Sequence, residues 1–187
     1  GIITAAVVKL FPKPKAYATA MLAAKSVPDT LTILNRLQEA SGGIIEAFEY
    51  MPKTYMQKLA EIRPDLPPPL GTDHDTTIFL ELGATAPRDS TPRDDGSLPL
   101  VDLLENNLAD LIEQGLILDA TLARSEAQRT QMWAMREAAA ELTFSRKPLV
   151  DTDLSVPLDK VNDFLETAHE RLAILDAGAD TFTVSHL

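Results

Sequence analysis

Apolar and polar residues alternate along this chain with two different periods. Stretches with a two-residue period or a continuous β-branched run predict strands, and stretches with apolar residues three and four apart predict amphipathic helices. Strands are predicted for 2–11, 17–24, 44–51, 76–84, 116–123, 148–157 and 181–187. Helices are predicted between Ser26 and Gly42, over 53–62, from about Leu100 to Gly115, from Ser125 to about Leu142, and over 158–175.

Two of these helices carry capping signals at their first residues. Ser26 with Asp29, and Ser125 with Gln128, have the spacing of a capping box, in which the hydroxyl accepts from a backbone N–H three residues later. Glycines at 42 and 115 are typical of helix ends. Two breaker-rich stretches, 63–75 and 84–97, are predicted to be a proline-stiffened loop and a polar insertion.

The order of elements and the half-polar strands define the predicted fold class. Parallel sheets covered on both faces have continuously apolar strands, whereas several strands here alternate. We therefore expect an α+β fold with a mainly antiparallel sheet, helices packed on one face, and two fused βαβ units of ferredoxin-like topology.

Composition narrows the classes of function. The chain has 187 residues, 17 basic and 28 acidic, for a net charge of −11. Such a balance argues against binding to nucleic acid or to an anionic membrane surface, because both need clustered cations. Cysteine is absent, which excludes disulfides, thiolate metal sites and thiol nucleophiles and favours a reducing, cytoplasmic compartment. No apolar run is long enough to cross a membrane.

Common catalytic and cofactor motifs are missing from the sequence. There is no phosphate-binding glycine loop, no nucleophile elbow and no zinc-protease motif. The first residue is not methionine, and the last strand is cut short at "TFTVSHL". We expect both ends to lie inside a larger protein, with most of any cofactor site elsewhere.

Arg136 is the first candidate for chemistry. It lies in "MWAMREAAA", where its neighbours three and four residues away include Met132, Trp133, Ala139 and Ala140. One interpretation is that its stem covers the apolar stripe and its head reaches water. The other is that the planar guanidinium, held beside an aromatic ring, receives a carboxylate with two hydrogen bonds.

Asp151 and His186 are the other candidates. In a strand over 148–157, Asp151, Asp153 and Ser155 would share one face, either as a solvated surface or as part of a site. His186, in alternation with apolar residues, is either a buried structural histidine or a ligand. The three histidines of the chain are scattered and make no metal site by themselves.

Several segments together resemble a known family. "GIITAAVVKLFPKPK" resembles the junction between the flavin domain and the C-terminal substrate domain of FAD-linked oxidases. "ILDATLARSEAQRTQMWAMREAA" and "DTDLSVPLDKVNDFL" resemble the middle of that substrate domain, and "VSHL" resembles the start of its histidine segment. The subgroup that it is most similar to is the D-2-hydroxy acid dehydrogenases of vanillyl-alcohol oxidase type.

The resemblance implies a division of labour within a larger protein. Residues 1–15 would end the FAD-binding domain, with Gly1, Ile2 and Ile3 near the flavin, and 16–187 would be the substrate domain. By motif, Arg136 would bind the substrate carboxylate. His186 would be catalytic and part of a divalent metal site, such as a zinc site, completed beyond this chain.

The sequence also departs from the hydroxyglutarate-type enzymes of this subgroup. Ala140 stands where those enzymes have a threonine, and Asp151 stands near their substrate-binding lysine. Asp151 is thereby assigned to the substrate site, where its charge disfavours a second carboxylate. Lys147 or Arg146 could take the place of the lysine if the connection shifts.

Two functions from different classes follow. The resemblance predicts the substrate domain of an FAD-dependent enzyme that oxidises a D-2-hydroxy acid to the 2-oxo acid, inactive by itself. It also implies a separate electron acceptor and allows a homodimer. The alternative is a non-catalytic ferredoxin-like module that binds a small ligand or mediates dimerisation.

Overall fold

A computed structural model describes residues 2–145, 147–179, 181 and 183–187 of the chain. The strands are β1 (Ala16–Ala24), β2 (Ile45–Pro52), β3 (Thr76–Ala84), β4 (Ile117–Leu122) and β5 (Ser185–His186). The helices are α1 (Val27–Ser41), α2 (Lys53–Ile62), α3 (Pro87–Ser90), α4 (Pro99–Glu113), α5 (Glu126–Glu137), α6 (Ala139–Phe144) and α7 (Val161–Leu175), the last preceded by a 3₁₀ turn (Leu158–Lys160).

The strands form one antiparallel sheet in the order β4-β1-β3-β2-β5. Both β1 and β2 pair antiparallel with β3, so they run parallel to each other with β3 between them. By the same reasoning β3 and β4 run parallel on either side of β1. The units β1–α1–β2 and β3–α4–β4 are therefore two interleaved βαβ units. The predicted α+β class and its ferredoxin-like topology are confirmed.

Alternate residues of the strands supply two hydrophobic cores. Even-numbered residues of β1 and β3, such as Leu22 and Leu80, pack with α1, α4 and α7 on one face. Odd-numbered residues, such as Met21 and Phe79, pack on the other face with α2, α5 and α6. The sequence predicts helices on one face, and the structure adds this second layer. Every residue of β3 is consequently buried.

The predicted caps explain where two helices begin. The Ser26 hydroxyl accepts a hydrogen bond from the Asp29 amide at 3.2 Å, and the Ser125 hydroxyl accepts one from the Gln128 amide at 3.2 Å. The Gln128 side chain in turn accepts from the amide of Arg124, the residue before the N-cap, rather than from Ser125 as in a complete capping box. The helix predicted from Ser125 to about Leu142 is interrupted at Ala138, where α5 gives way to α6.

Two predicted strands are wrong, and a third is much shorter than predicted. Residues 2–11 form no strand, and their large apolar side chains are exposed, because β-branched residues make a strand only where a partner strand is available. Residues 148–157 are also irregular, and Pro148 and Pro157 offer no N–H for a ladder. The strand predicted over 181–187 is confined to β5, and Phe182 within that range lies outside the described residues.

No described helix is both long enough and apolar enough to span a bilayer.

We expect Leu80→Ala to lower the free energy of unfolding by about 2–5 kcal/mol, because Leu80 is fully buried in the central strand and truncation leaves a cavity. Leu118→Ala is the matched control. Leu118 is 56 % exposed on β4, so the same truncation there should cost well under about 1 kcal/mol. Urea unfolding of the two variants measures the difference. Equal losses would contradict the assignment of β3 to the centre of the core.

Candidate functional site

The face of the sheet that packs against α5 carries two buried carboxylates. Glu49 on β2 is 7 % exposed and Glu81 on β3 is 2 % exposed. Acidic residues are almost never fully buried unless they are paired. Both pair with arginines of α5, so this helix is attached to the sheet by charged contacts as well as by apolar packing.

Glu81 is surrounded by donors from two elements. It accepts from the Thr19 hydroxyl at 2.7 Å and from the Trp133 indole N–H at 2.9 Å. Arg129 donates to both of its oxygens, from Nε at 2.7 Å and from Nη2 at 2.8 Å. The hydrogen bond with Glu81 raises the pKa of Arg129 above its ordinary value, so the guanidinium keeps its positive charge. The bidentate contact fixes where α5 lies along the sheet.

Arg136 lies on the same helix, two turns beyond Arg129. Its Nε donates to Oε2 of Glu49 at 3.2 Å. Its Nη2 lies 2.8 Å from Nε2 of His186 on β5. The Nδ1 of His186 lies 2.5 Å from Oε1 of Glu49. We call Glu49, Arg136 and His186 the triad. Its three side chains come from three different elements and each contacts the other two.

Tyr55 of α2 supports the end of α5 that carries Arg136. Its hydroxyl donates to the backbone carbonyl of Met135 at 2.6 Å and more weakly to that of Arg136 at 3.3 Å. Carbonyls in the last turn of a helix lack partners within the helix, so this hydroxyl satisfies them. Burial raises the pKa of the Tyr55 phenol, and the smaller effect of nearby Arg136 lowers it. The phenol therefore stays protonated and remains a donor.

A small cavity opens beside the triad. Its volume is about 100 Å³, and it is lined by Glu49, Arg136 and His186 together with neighbours on β2, α6 and the segment that ends in β5. The side chains of Arg136 and His186 are 29 % and 75 % exposed, while that of Glu49 is 9 % exposed. A small anion from solvent can thus reach the guanidinium and the imidazole, while the carboxylate stays behind them.

The structure brings together two of the residues predicted from sequence. Arg136 and His186 share the cavity, and the exposure of His186 excludes the buried structural histidine that the alternation left open. Asp151 is exposed in the irregular segment after α6 and does not line this cavity. Ile2 and Ile3 are exposed in an irregular segment, and Gly1 lies outside the described residues. The functional roles of all these residues stay predictions.

Sequence reasoning missed both carboxylates and Tyr55. Glu49 could have been noticed as a charged residue within the apolar strand "IIEAFEYM". Glu46 interrupts the same strand in the same way, yet it is exposed. Glu81 shares a strand face with Phe79, which is buried. A carboxylate on such a face needs a hydrogen-bonded or charged partner. Nothing in the sequence identifies which arginine supplies it.

The described residues hold no group of three or more histidine, cysteine, aspartate or glutamate side chains that could bind a metal ion. Within the triad, the guanidinium of Arg136 lies against Nε2 of His186, where a second cation would be repelled. In the arrangement described here, the triad does not fit a divalent metal.

The chain is similar to a protein family and to several known proteins. A family model described as "FAD linked oxidases, C-terminal domain" matches residues 13–187. The chain is 26 % identical over 172 residues to the mitochondrial D-2-hydroxyglutarate dehydrogenase of Rattus norvegicus, covering 92 % of this chain and 30 % of that protein. It is 26 % identical over 166 residues to the D-2-hydroxyglutarate dehydrogenase of Stutzerimonas stutzeri, covering 89 % and 32 %.

A third relative is named for a different substrate. The chain is 25 % identical over 182 residues to a putative mitochondrial D-lactate dehydrogenase of Schizosaccharomyces pombe, covering 97 % of this chain and 32 % of that protein. The chain therefore spans about a third of the length of the curated relatives that it matches.

We expect Arg129→Met to lower the free energy of unfolding by about 3 kcal/mol, because it leaves the Glu81 carboxylate buried without its cation. Arg124→Met is the matched control. Arg124 pairs with Glu105 at the surface, where both side chains are about half exposed, and such a pair contributes under about 1 kcal/mol. Thermal or urea unfolding compares the two. If both variants lose the same stability, Glu81–Arg129 is not the anchor of α5.

Proposed function

The chain belongs to the C-terminal domain family of FAD-linked oxidases. On that premise we propose that it is the substrate-binding domain of an FAD-dependent oxidoreductase that oxidises a D-2-hydroxy acid to the 2-oxo acid. The names of its relatives support the substrate class. The observation that carries the proposal is the meeting of Arg136 and His186 at one cavity.

Arg136 is proposed to bind the substrate's carboxylate. A guanidinium is planar, keeps its charge, and can donate two parallel hydrogen bonds to a carboxylate. Its position on α5 is fixed by the Glu81–Arg129 contact and by the Tyr55 hydroxyl at the helix end. A bound 2-hydroxy acid would then be oriented by its carboxylate, with the adjacent C2 and hydroxyl in the cavity.

His186 is proposed to receive the proton of the substrate's hydroxyl group. Oxidation removes a hydride from C2 and a proton from the hydroxyl oxygen, which leaves a carbonyl group. An imidazole has a proton affinity suited to accepting that proton near neutral pH. FAD, when bound, supplies the acceptor for the hydride.

The flavin itself is proposed to bind mainly to a part of the protein outside this chain. Within the chain, the predicted contacts are Gly1, Ile2 and Ile3. The side chains of Ile2 and Ile3 are 93 % and 88 % exposed, so they are available to pack against such a part. The larger size of the relatives supports this arrangement, because the chain covers about a third of each.

The metal role of His186 remains a prediction from the resemblance. It needs ligands from outside this chain and a displacement of Arg136 from Nε2 of the imidazole. The mechanism above uses no metal. A separate electron acceptor and a homodimer likewise remain predictions, and so does a cytoplasmic location, since two of the relatives named here are mitochondrial by name.

A monocarboxylate such as D-lactate is the substrate that the local charges favour. Glu49 already places one carboxylate at the cavity, and Ala140 offers no hydroxyl to a second substrate carboxylate. The relatives named for D-2-hydroxyglutarate favour the dicarboxylate instead. Asp151, predicted to bind substrate, does not line the cavity. A non-catalytic ferredoxin-like module has the sheet topology alone in its favour.

We expect Arg136→Ala to lower kcat/KM by a factor that corresponds to about 2–5 kcal/mol in the protein that joins this chain to a flavin-binding part, because the substrate's carboxylate loses its cation. Arg124→Ala, which removes an exposed arginine just before α5, is the control and should retain full activity. Steady-state rates over a series of D-2-hydroxy acids measure both. Wild-type kinetics in Arg136→Ala would rule out the carboxylate role.

By itself, this chain is expected to bind FAD weakly and to oxidise no D-2-hydroxy acid. Absorbance of bound flavin after gel filtration, together with turnover of D-lactate and D-2-hydroxyglutarate with an artificial electron acceptor, measures both properties. The joined protein is the positive control. Stoichiometric flavin with turnover by the chain alone would contradict the proposed division of labour.

A further inference from the structure

We propose that Glu49 is a positioning residue that holds Arg136 and His186 in a fixed relation and assigns one edge of the guanidinium to the protein, leaving the other edge for the substrate. This inference deepens the proposed function and depends on it for the identity of the substrate. The contacts that carry it are those of the triad itself.

Glu49 uses its two oxygens on two different partners. Oε2 accepts from Nε of Arg136, and Oε1 contacts Nδ1 of His186. One carboxylate thus fixes the separation between a side chain of α5 and a side chain of β5. Glu49 and His186 are also directly opposite each other in the β2–β5 pairing, which brings their side chains together on one face.

The contacts of Arg136 divide its donors into two edges. Nε and Nη2 form the side edge of the guanidinium, and both are engaged, by Glu49 and by His186. Nη1 and the second hydrogen of Nη2 form the outer edge. Within the described residues, Nη1 donates no hydrogen bond. A carboxylate bound with two hydrogen bonds must therefore use the outer edge, which limits the substrate to one orientation.

The same contacts determine which nitrogen of His186 carries hydrogen. A carboxylate can only accept, so Nδ1 donates to Glu49. Nη2 of Arg136 lies 2.8 Å from Nε2 and 3.4 Å from Nδ1, so its contact with the ring does not choose between the two nitrogens, and the Glu49 contact does. The neutral ring is therefore protonated at Nδ1, with its free electron pair at Nε2. That is the nitrogen which the proposed function needs as the proton acceptor.

Glu81 shows what a purely structural carboxylate looks like in this fold. Its donors come from Thr19, Arg129 and Trp133, and it does not border the cavity beside the triad. Glu49 instead contacts the two residues that carry the proposed chemistry and lines their cavity. Its removal should therefore change how the substrate is oriented more than whether the chain folds.

The first test is kinetic and uses the protein that joins this chain to a flavin-binding part. Glu49→Leu removes both acceptor oxygens at similar volume and should lower kcat about tenfold, corresponding to about 1.4 kcal/mol. KM for the hydroxy acid should stay the same or fall, because Arg136 keeps its charge and loses a competing anion. Glu49→Asp, which retains both oxygens, should recover most of kcat. Glu46→Leu makes the same change at an exposed residue of β2 and is the control.

An unchanged or raised kcat in Glu49→Leu would overturn the proposal, since Glu49 would then be dispensable or a competitor of the substrate. If the wild-type protein oxidises no hydroxy acid, the proposed function fails. The positioning role is then decided by the second test, which needs no activity.

The second test measures the ring nitrogens of His186 in this chain alone, by ¹⁵N NMR in slightly alkaline buffer. Loss of the signals in a His186→Gln variant assigns them among the three histidines. Wild type and Glu46→Leu should both show hydrogen on Nδ1, and Glu49→Leu should shift hydrogen toward Nε2. Hydrogen on Nε2 in the wild type, or the same spectrum in Glu49→Leu, would overturn the proposal.

Discussion

The bidentate contact between Glu81 and Arg129 is the interaction on which the rest of this site depends. Glu81 is buried in the central strand, so a helix that supplies its counterion must cross the sheet at one place and in one rotation. Because Arg129 is the counterion of Glu81, the face of α5 that carries Arg129 must be turned toward the sheet. Arg136, two turns along the same helix, consequently reaches β2, and the Tyr55 hydroxyl holds the helix end there. Apolar packing by Met132 and Met135 is less directional and could accommodate several rotations.

Much of the fold could be predicted from the sequence because local chemistry sets it. The hydroxyls of Ser26 and Ser125 begin their helices as predicted, and the alternation in β3 identifies a strand. Predictions failed where a strand needs a partner that local patterns do not reveal. Residues 2–11 have high strand propensity, and residues 148–157 alternate, but neither segment pairs with a strand in the part of the chain that the structure describes. The second helical layer was missed because Thr19, Glu49 and Glu81 make the other face of the strands partly polar, although the structure buries all three.

The candidate site was predictable only in part. The pairing of Arg136 with His186 followed from resemblance, since the two residues are far apart in the chain and no local pattern links them. Glu49 could not be distinguished from Glu46 by sequence, because the side on which each carboxylate lies depends on the register of β2 against β3 and β5. Burial then separates them, with Glu46 exposed and Glu49 enclosed.

The place of β5 in the sheet has a consequence for access to the cavity. This strand pairs with β2 at Glu49 and Tyr50, and Leu187 donates a further backbone hydrogen bond to Phe48. The imidazole is therefore carried by an edge strand and the guanidinium by a helix that crosses the sheet. A substitution that shifts the register of β2 would change the width of the cavity mouth without altering any side chain that lines it.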